Sequence, residues 1–397
     1  MQQKEYFLNH QAQTSPFPLG LEIHHAKGIY LYDKQGKAYM DLISGIAVSN
    51  LGHSHPKVVS SIKDQLDRYM HIMVYGEFIQ DPTVKLAKKL SNLLPDPINS
   101  IYFVNSGTEA NEGALKLAKR ITGKPEIVSC YKSYHGSTHG SLSVSGNETK
   151  KNAFRPLLPG VRFMRFNNEQ DLKLITDKTA AVIVETIQGD AGIRIPASSY
   201  LKKLRQRCDE TGAQLILDEV QTGFGRTGTL FAFEHYGIVP DILTMAKGMG
   251  GGMPLGAFAA SKEKMDLLTH NPMLGHITTF GGHPVCCASA LANLEVLIEE
   301  KIIEKVEEKG NLFHQLLKDH PLVKEVRYKG LLFAIELETA EIVNQVVQNC
   351  LEDGLISFWF LSTPNAFRIA PPLTISNGEI KKACKIIVKA MDKVNGE

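Results

Sequence analysis

The chain has 397 residues, 43% hydrophobic and 22% charged, with a formal net charge of +2. This length exceeds the usual single domain and predicts two or three domains sharing a large core. Charges of both signs are mixed along the chain, which argues against a nucleic-acid or membrane-surface binder.

The opening stretch, MQQKEYFLNHQAQTSPFPLG, lacks the apolar core of a secretory signal. No apolar run reaches the roughly 18–20 residues of a membrane span. Residues 27–48 (GIYLYDKQGKAYMDLISGIAV) read as strands around a turn at Asp33 to Gly36. Residues 56–70 have helical periodicity, with Val58, Val59, Ile62 and Leu66 on one face. From about 80 to 260, helical stretches (PTVKLAKKLSNLL, GTEANEGALKLAKRITG, SYLKKLRQRCDETG) alternate with apolar runs (SIYFV, EIVSC, AAVIVE, AQLILD, DILTMA). Such alternation predicts an α/β fold whose mostly parallel sheet is covered by helices. Residues 284–319 read as helical with a break near Gly310, and the strands and helices that follow predict a smaller α+β domain. The expected boundaries are 1–55 for an N-terminal segment packing with the small domain, 56–288 for the large domain and 289–397 for the small one. The six cysteines show no C-x-x-C spacing, and Cys286-Cys287 reads as core. Reduced thiols in a cytoplasm are expected.

Two charges at strand ends carry the chemistry. In DILTMAKGMGGGMPLGA an apolar run delivers Lys247 into a glycine-rich turn, and QLILDEVQTG ends its run on Asp218. A lysine able to form a Schiff base and an aspartate able to hold a ring nitrogen protonated are what an aldehyde-bearing pyridine cofactor requires. Pyridoxal 5'-phosphate is the expected cofactor. In SIYFVNSGTEANEGALKLAKR, the turn Ser106-Gly107-Thr108 opens a helix, whose N-terminus suits a phosphate or needs only a cap. Tyr134, after the strand EIVSC, could stack on a flat ring or be an ordinary rim tyrosine. The paired histidines (His24 and His25, His53 and His55, His135 and His139) have no convergent cysteine or carboxylate, so no metal site is expected. Gly223 to Gly228 matches G-x-G-x-x-G, the rival sign of an NAD-dependent oxidoreductase. The segment after it is too short and too aromatic for the crossover helix that fingerprint needs. Arg368, in the apolar segment AFRIAPPLT, suits a substrate carboxylate or a buried ion pair.

Together GIAVSNLGHSHP, NSGTEANEGALKLA, SYHG, VETIQGDAG, LILDEVQTGFGRTG, MAKGMGGGMPLGA and TTFGGHPV resemble the class III aminotransferases of PLP fold type I. These include the ornithine, acetylornithine, 4-aminobutyrate and putrescine enzymes, and the likeness spans nearly the whole chain. The resemblance implies that Lys247 forms the Schiff base and shuttles the proton, while Asp218 partners the ring nitrogen. It implies that Ser106, Gly107 and Thr108 hold the phosphate, that Tyr134 and Val220 flank the ring, and that Gln221 bonds the ring hydroxyl. Glu185 would stand near the cofactor. Thr279 would reach the phosphate from a partner subunit, making a homodimer with shared sites. Arg368 would hold an α-carboxylate.

The chain departs from the family pattern in four places. Ser137 stands where many relatives carry an arginine for a second carboxylate. E-P-[IV]-Q-G-E becomes ETIQGD, which puts Thr186 for proline and the shorter Asp190 for the glutamate that partners the arginine at position 368. Ile46 occupies a position where ornithine aminotransferases carry tyrosine, and His283 replaces a common asparagine. The expected function is transfer of the terminal amino group of an ω-amino acid or diamine, acetylornithine- or ornithine-like, to an oxo acid such as 2-oxoglutarate. The alternatives are a 4-aminobutyrate or putrescine type using pyruvate or 2-oxoglutarate, and an aminomutase or decarboxylase on the same scaffold.

Overall fold

The computed structural model describes residues 2–396. After a helix at Gln2–His10 come three antiparallel strands, β1 (Ile23–Lys27), β2 (Tyr30–Asp33) and β3 (Ala38–Asp41). Asp33 builds the β2–β3 turn, accepting hydrogen bonds from the N–H groups of Gln35 (3.0 Å) and Lys37 (2.9 Å).

The strand reading of residues 27–48 fails beyond Asp41. Ser44, Gly45, Ile46 and Ala47 form a left-handed turn, with φ of 47°, 62°, 67° and 61°. That conformation costs about 1–2 kcal/mol for each residue with a Cβ, so the surroundings must impose it. Asp41 does so: its Oδ1 accepts from the N–H of Ile43 (2.9 Å) and Ser44 (2.8 Å). Its Oδ2 lies 2.9 Å from Nε2 of His53.

Seven strands form the main sheet: β4 (Ser100–Val104), β5 (Glu126–Cys130), β6 (Val161–Met164), β7 (Thr179–Glu185), β8 (Gln214–Asp218), β9 (Ile242–Met245) and β10 (Gly256–Ala260). Their order is β4-β10-β9-β8-β7-β5-β6. The run from β9 to β6 is parallel, and β10 is antiparallel to both neighbours. Every residue of β7 is buried, as in a strand covered on both faces. Sequence patterning does not announce β6 and β10. VRFM sits at the sheet edge with only Met164 buried, and GAFAA consists largely of residues with low strand propensity.

The helices Asp81–Leu93, Gly107–Thr122 and Ser198–Thr211 lie where expected. Helix Pro56–Arg68 buries Val58, but Leu66 is 44% exposed, so its inward face is narrower than the periodicity implies. The break in 284–319 is not at Gly310. Helix Pro284–Glu299 ends before Lys301 (φ 50°), and Gly310 lies inside helix Val306–Leu317. A Cβ on Gly310 would run into the backbone of Gly330, so this glycine serves close packing rather than a helix end.

The C-terminal part carries β11 (Glu325–Lys329), β12 (Leu332–Glu336), β13 (Leu355–Ile356), β14 (Phe358–Trp359) and β15 (Ala366–Ile369). Four of these form a sheet ordered β11-β12-β15-β14, and β13 instead pairs in parallel with β3 through Leu355 and Met40. All six cysteines are free and buried. Among the described residues, no helix is long and apolar enough to cross a membrane, and no group of side chains could hold a metal ion.

Candidate active site

Parallel strands deliver their carboxyl ends to one edge of a sheet, where loops gather functional side chains. Here Asp218 closes β8, Glu185 closes β7, Lys247 follows β9, Tyr134 follows β5, and Ser106 to Thr108 follow β4. All of them line one cavity of about 760 Å³, together with Ile46, Ser137, Asp190, Val220, Gln221 and Arg368.

At one end the helix Gly107–Thr122 starts, with Ser106 as its N-cap accepting from the N–H of Glu109 at 3.3 Å. Capping and cavity lining are therefore combined in one turn. Gly107 packs so closely that a Cβ there would lie 2.7 Å from Cγ1 of Val220. Thr108 Oγ1 and Thr138 Oγ1 are 2.8 Å apart.

Asp218 is shut from solvent except where it meets the cavity, with 5% exposure. Its Oδ1 accepts from the N–H of Val220 (3.0 Å), and its Oδ2 accepts from Nδ2 of Asn111 (2.8 Å) and lies 2.8 Å from Nδ1 of His135. Asn111 is fixed in turn by Thr244, which donates to its Oδ1 at 2.8 Å. Glu185 accepts from the N–H of Tyr134 (3.0 Å) and Gly189 (2.7 Å). Burial pushes its carboxyl up to about 7, the charge of Asp218 adds to this, and His135 opposes it. Gln221 occupies space left by Gly189, where a Cβ would overlap its amide oxygen.

Lys247 has a left-handed backbone (φ 45°) in the turn Lys247–Gly250. Burial lowers its ammonium below the ordinary lysine range; Asp218 counteracts this, while Arg368 reinforces it. A shift in this direction favours the free amine, the form of lysine that acts as nucleophile and base. Across the cavity, Arg368 on β15 stacks over the Phe360 ring at 4.4 Å, and its Nη2 lies 3.5 Å from Oδ1 of Asp190. Its Nε is buried without a partner. Asp190 is shared: it also accepts from the N–H of Leu361 (3.1 Å) and from Oγ of Ser362 (2.7 Å).

Ser137 is exposed at the cavity mouth, 3.3 Å from the Tyr134 hydroxyl. Of the lysines and arginines among the described residues, Lys247 and Arg368 line the cavity. Thr279 is exposed and lies outside the lining, although its neighbour Thr278 accepts from Asn105, a wall residue, at 2.9 Å. Thr186 donates to the buried Glu219 at 2.7 Å, a role proline could not fill. His283 is away from the cavity and stacks on His71 at 5.3 Å. Sequence reasoning missed Asn111, Phe358 and Trp359, and took His135 only as a metal candidate. A buried asparagine one turn inside an apolar helix face was the available sign of Asn111.

The wall has the donors that pyridoxal phosphate requires. A buried carboxylate with spare acceptor capacity and an amine face the same space, and a helix N-terminus lies beside them. The orphaned Nε of Arg368 adds an unmet donor for a carboxylate.

The model for "Aminotransferase class-III" matches residues 11–391, and the chain belongs to this family. It is a pyridoxal-phosphate-dependent aminotransferase of the α/β fold-type I architecture. An acetylornithine aminotransferase from Methanocaldococcus jannaschii is 40% identical over 386 residues, covering 93% of this chain and 92% of that protein. A transaminase from a marine Virgibacillus superposes with a TM-score of 0.93 at 29% identity, covering 100% and 99% of the two chains. The ornithine aminotransferase of Toxoplasma gondii, crystallised with partial PLP occupancy at its active site, superposes with a TM-score of 0.91 at 30% identity, covering 99% and 94%.

Proposed function

We propose that this enzyme moves the terminal amino group of an acetylornithine- or ornithine-like ω-amino acid, or of a diamine, to an oxo acid such as 2-oxoglutarate. The observation that carries this reading is the convergence of Lys247, Asp218 and a half-free Arg368 on one cavity, in a chain similar to an acetylornithine aminotransferase.

Pyridoxal phosphate, when bound, supplies an aldehyde that takes up the amine and a ring that accepts electrons. Ser106, Gly107 and Thr108 would hold its phosphate at the helix N-terminus, Tyr134 and Val220 would flank the ring, and Gln221 would bond its hydroxyl. Asp218 would hold the ring nitrogen protonated through its charge, and Asn111 and His135 fix Asp218. The Lys247 amine would be the group that meets the aldehyde. Free of it, the same amine would serve as the base that takes a proton from the substrate carbon beside the nitrogen and as the acid that gives it back. Arg368 orients the carboxylate of the oxo acid, its planar fork matching two oxygens. Glu185 keeps a proton in reach near neutrality. In the second half-reaction the same residues work in reverse.

The functional unit is a cytoplasmic homodimer in which Thr279 of one subunit completes the phosphate site of the other. Support comes from its exposure beside Thr278, which is tied to the wall residue Asn105. A second reading, a 4-aminobutyrate or putrescine type, draws on Ser137 in place of an arginine and on an apolar wall that includes Ile46, Phe358 and Trp359.

Initial rates with ornithine, acetylornithine, 4-aminobutyrate, lysine and putrescine, each with 2-oxoglutarate and with pyruvate, test the assignment. Preference for acetylornithine or ornithine supports it, and preference for putrescine or 4-aminobutyrate selects the second reading. Release of carbon dioxide or an internal amino shift, with no amine passed to an oxo acid, rejects both in favour of decarboxylase or aminomutase chemistry.

A further inference from the structure

The run Gly223–Gly228 opens no helix, yet it contains a fully buried arginine. Arg226 is 0% exposed. Its Nη1 donates to the carbonyl oxygens of Leu331 (3.1 Å) and Pro371, and its Nη2 donates to Oδ1 of Asn50 at 2.6 Å. Its Nε has no partner, and among the described residues no ion pair joins it. Burial pushes its guanidinium down to about 9, and the more distant charge of Asp41 offsets part of that. A buried cation satisfied by neutral oxygens alone is costly, and an apolar side chain would fill this space at less expense.

The arrangement around Asn50 explains why a guanidinium stands there. Asn50 is 1% exposed, and its Nδ2 donates to the Phe224 carbonyl at 2.8 Å. Its amide orientation is therefore fixed from both ends. The fixed amide presses against Gly248, where a Cβ would collide with it. The same turn is also bound from helix Pro284–Glu299: Nδ2 of Asn293 donates to the Gly248 carbonyl at 2.9 Å, and Oγ of Ser289 donates to that of Gly250 at 2.8 Å. The turn that holds Lys247 at a φ of 45° is thus held by Asn50 and by two residues of that helix. A lysine carrying a Cβ does not hold the left-handed region unaided.

We propose that Arg226 and Asn50 are positioning residues for Lys247: the guanidinium locks the Asn50 amide, and the amide wedges the Gly248 backbone so that the lysine amine faces the cavity. This rests on the assignment of Lys247 as the reacting amine. It also gives the segments of Leu331 and Pro371 a direct link to the reacting turn.

The test uses Asn50→Ala, Asn50→Ser, Arg226→Lys and Arg226→Met in the full-length enzyme. The readouts are kcat, the KM of the oxo acid, Tm, and labelling of Lys247 in the cofactor-free protein. Labelling uses an amine-acylating reagent across pH, followed by peptide mass spectrometry. Asn50→Ala is expected to lower kcat about tenfold to a hundredfold, since small misplacements of a reacting group have effects of that size. The KM of the oxo acid should stay within about twofold, because Arg368 belongs to another element. The labelling midpoint should move up toward that of an ordinary lysine. Arg226→Lys should behave like Asn50→Ala, since one ammonium does not present a fork to three separate oxygens. If Arg226→Met does not fold, the Asn50 variants decide. Wild-type kcat with an unmoved labelling curve in a folded Asn50→Ala enzyme overturns the proposal. So does a fall in Tm that accompanies the loss of kcat with labelling unmoved, which marks a plain structural staple. If Lys247→Ala retains turnover, the assignment of Lys247 fails, whatever the Asn50 variants do to labelling.

Discussion

His135 Nδ1 lies 2.8 Å from Oδ2 of Asp218, in a place where neither side chain meets bulk water. With Asn111 on the same oxygen and the Val220 N–H on the other, the carboxylate is held from three directions while Asp218 still lines the cavity. Asp218→Asn should lose most turnover at little loss of Tm, because an amide does not hold a ring nitrogen protonated by charge. His135→Phe should lose less, about tenfold in kcat, since it removes one of three supports rather than the charge. Steady-state kinetics beside thermal melts check both, and a near-normal rate for Asp218→Asn would make Asp218 a structural cap.

Glu185 predicts a pH dependence of stability. Its folded-state pKa of about 7 lies above that of an unfolded glutamate. The native state therefore keeps a proton that the unfolded chain has already released. Stability from this group is fully present below about 4.3 and is lost as pH rises toward 7, with a slope of at most about 1.4 kcal/mol per unit. Urea titrations of the cofactor-free protein between these limits should show this decline, and Glu185→Gln should flatten it. Equal slopes for the two proteins would count against a buried, protonated Glu185.

Arg368 and Asp190 predict how a substrate carboxylate is admitted. Asp190 divides its two oxygens among Leu361, Ser362 and Arg368, and the 3.5 Å contact leaves the guanidinium partly unspent. Asp190→Glu restores a longer reach to Arg368 and should compete with the oxo acid, raising its KM about fivefold to tenfold while kcat changes little. Arg368→Lys should raise the same KM further, since the fork is lost. Unchanged KM in both variants would remove Arg368 from the substrate site.

Ser137 predicts weak discrimination between acceptors. A charge-assisted hydrogen bond contributes roughly 1.5–3 kcal/mol, and a hydroxyl does not replace it. Ser137→Arg should improve affinity for 2-oxoglutarate and leave pyruvate nearly unchanged. A wild-type enzyme already favouring 2-oxoglutarate by orders of magnitude would reveal another cation acting in its place.

Much of the site was legible because its parts are local. Lys247, Asp218 and the Ser106–Thr108 turn each sit at a strand end, and a strand followed by a turn can be read from a dozen residues. The α/β alternation was legible for the same reason. What stayed hidden depends on residues far apart in the chain. The grip of Asn111 on Asp218, the wedge of Asn50 against Gly248 and the close passage of Gly310 over Gly330 leave no local pattern. The left-handed turn at Ser44–Ala47 was read as strand because it continues the run of β3 and carries the β-branched Ile43 and Ile46, and no local pattern announces the tertiary contact that overrules them. Here the Asp41 carboxylate does so.

The pairing of β3 with β13 joins Met40 to Leu355, near opposite ends of the polypeptide. On the ribosome, where chains emerge at about 5–20 residues per second, β3 waits many seconds for the strand that covers its edge. Until then it is an open edge next to an apolar surface, the situation that invites pairing with the wrong chain. Nascent chains stalled before Leu355 should therefore remain sensitive to protease near Met40 and should associate with chaperones. Release of the last segment should end both.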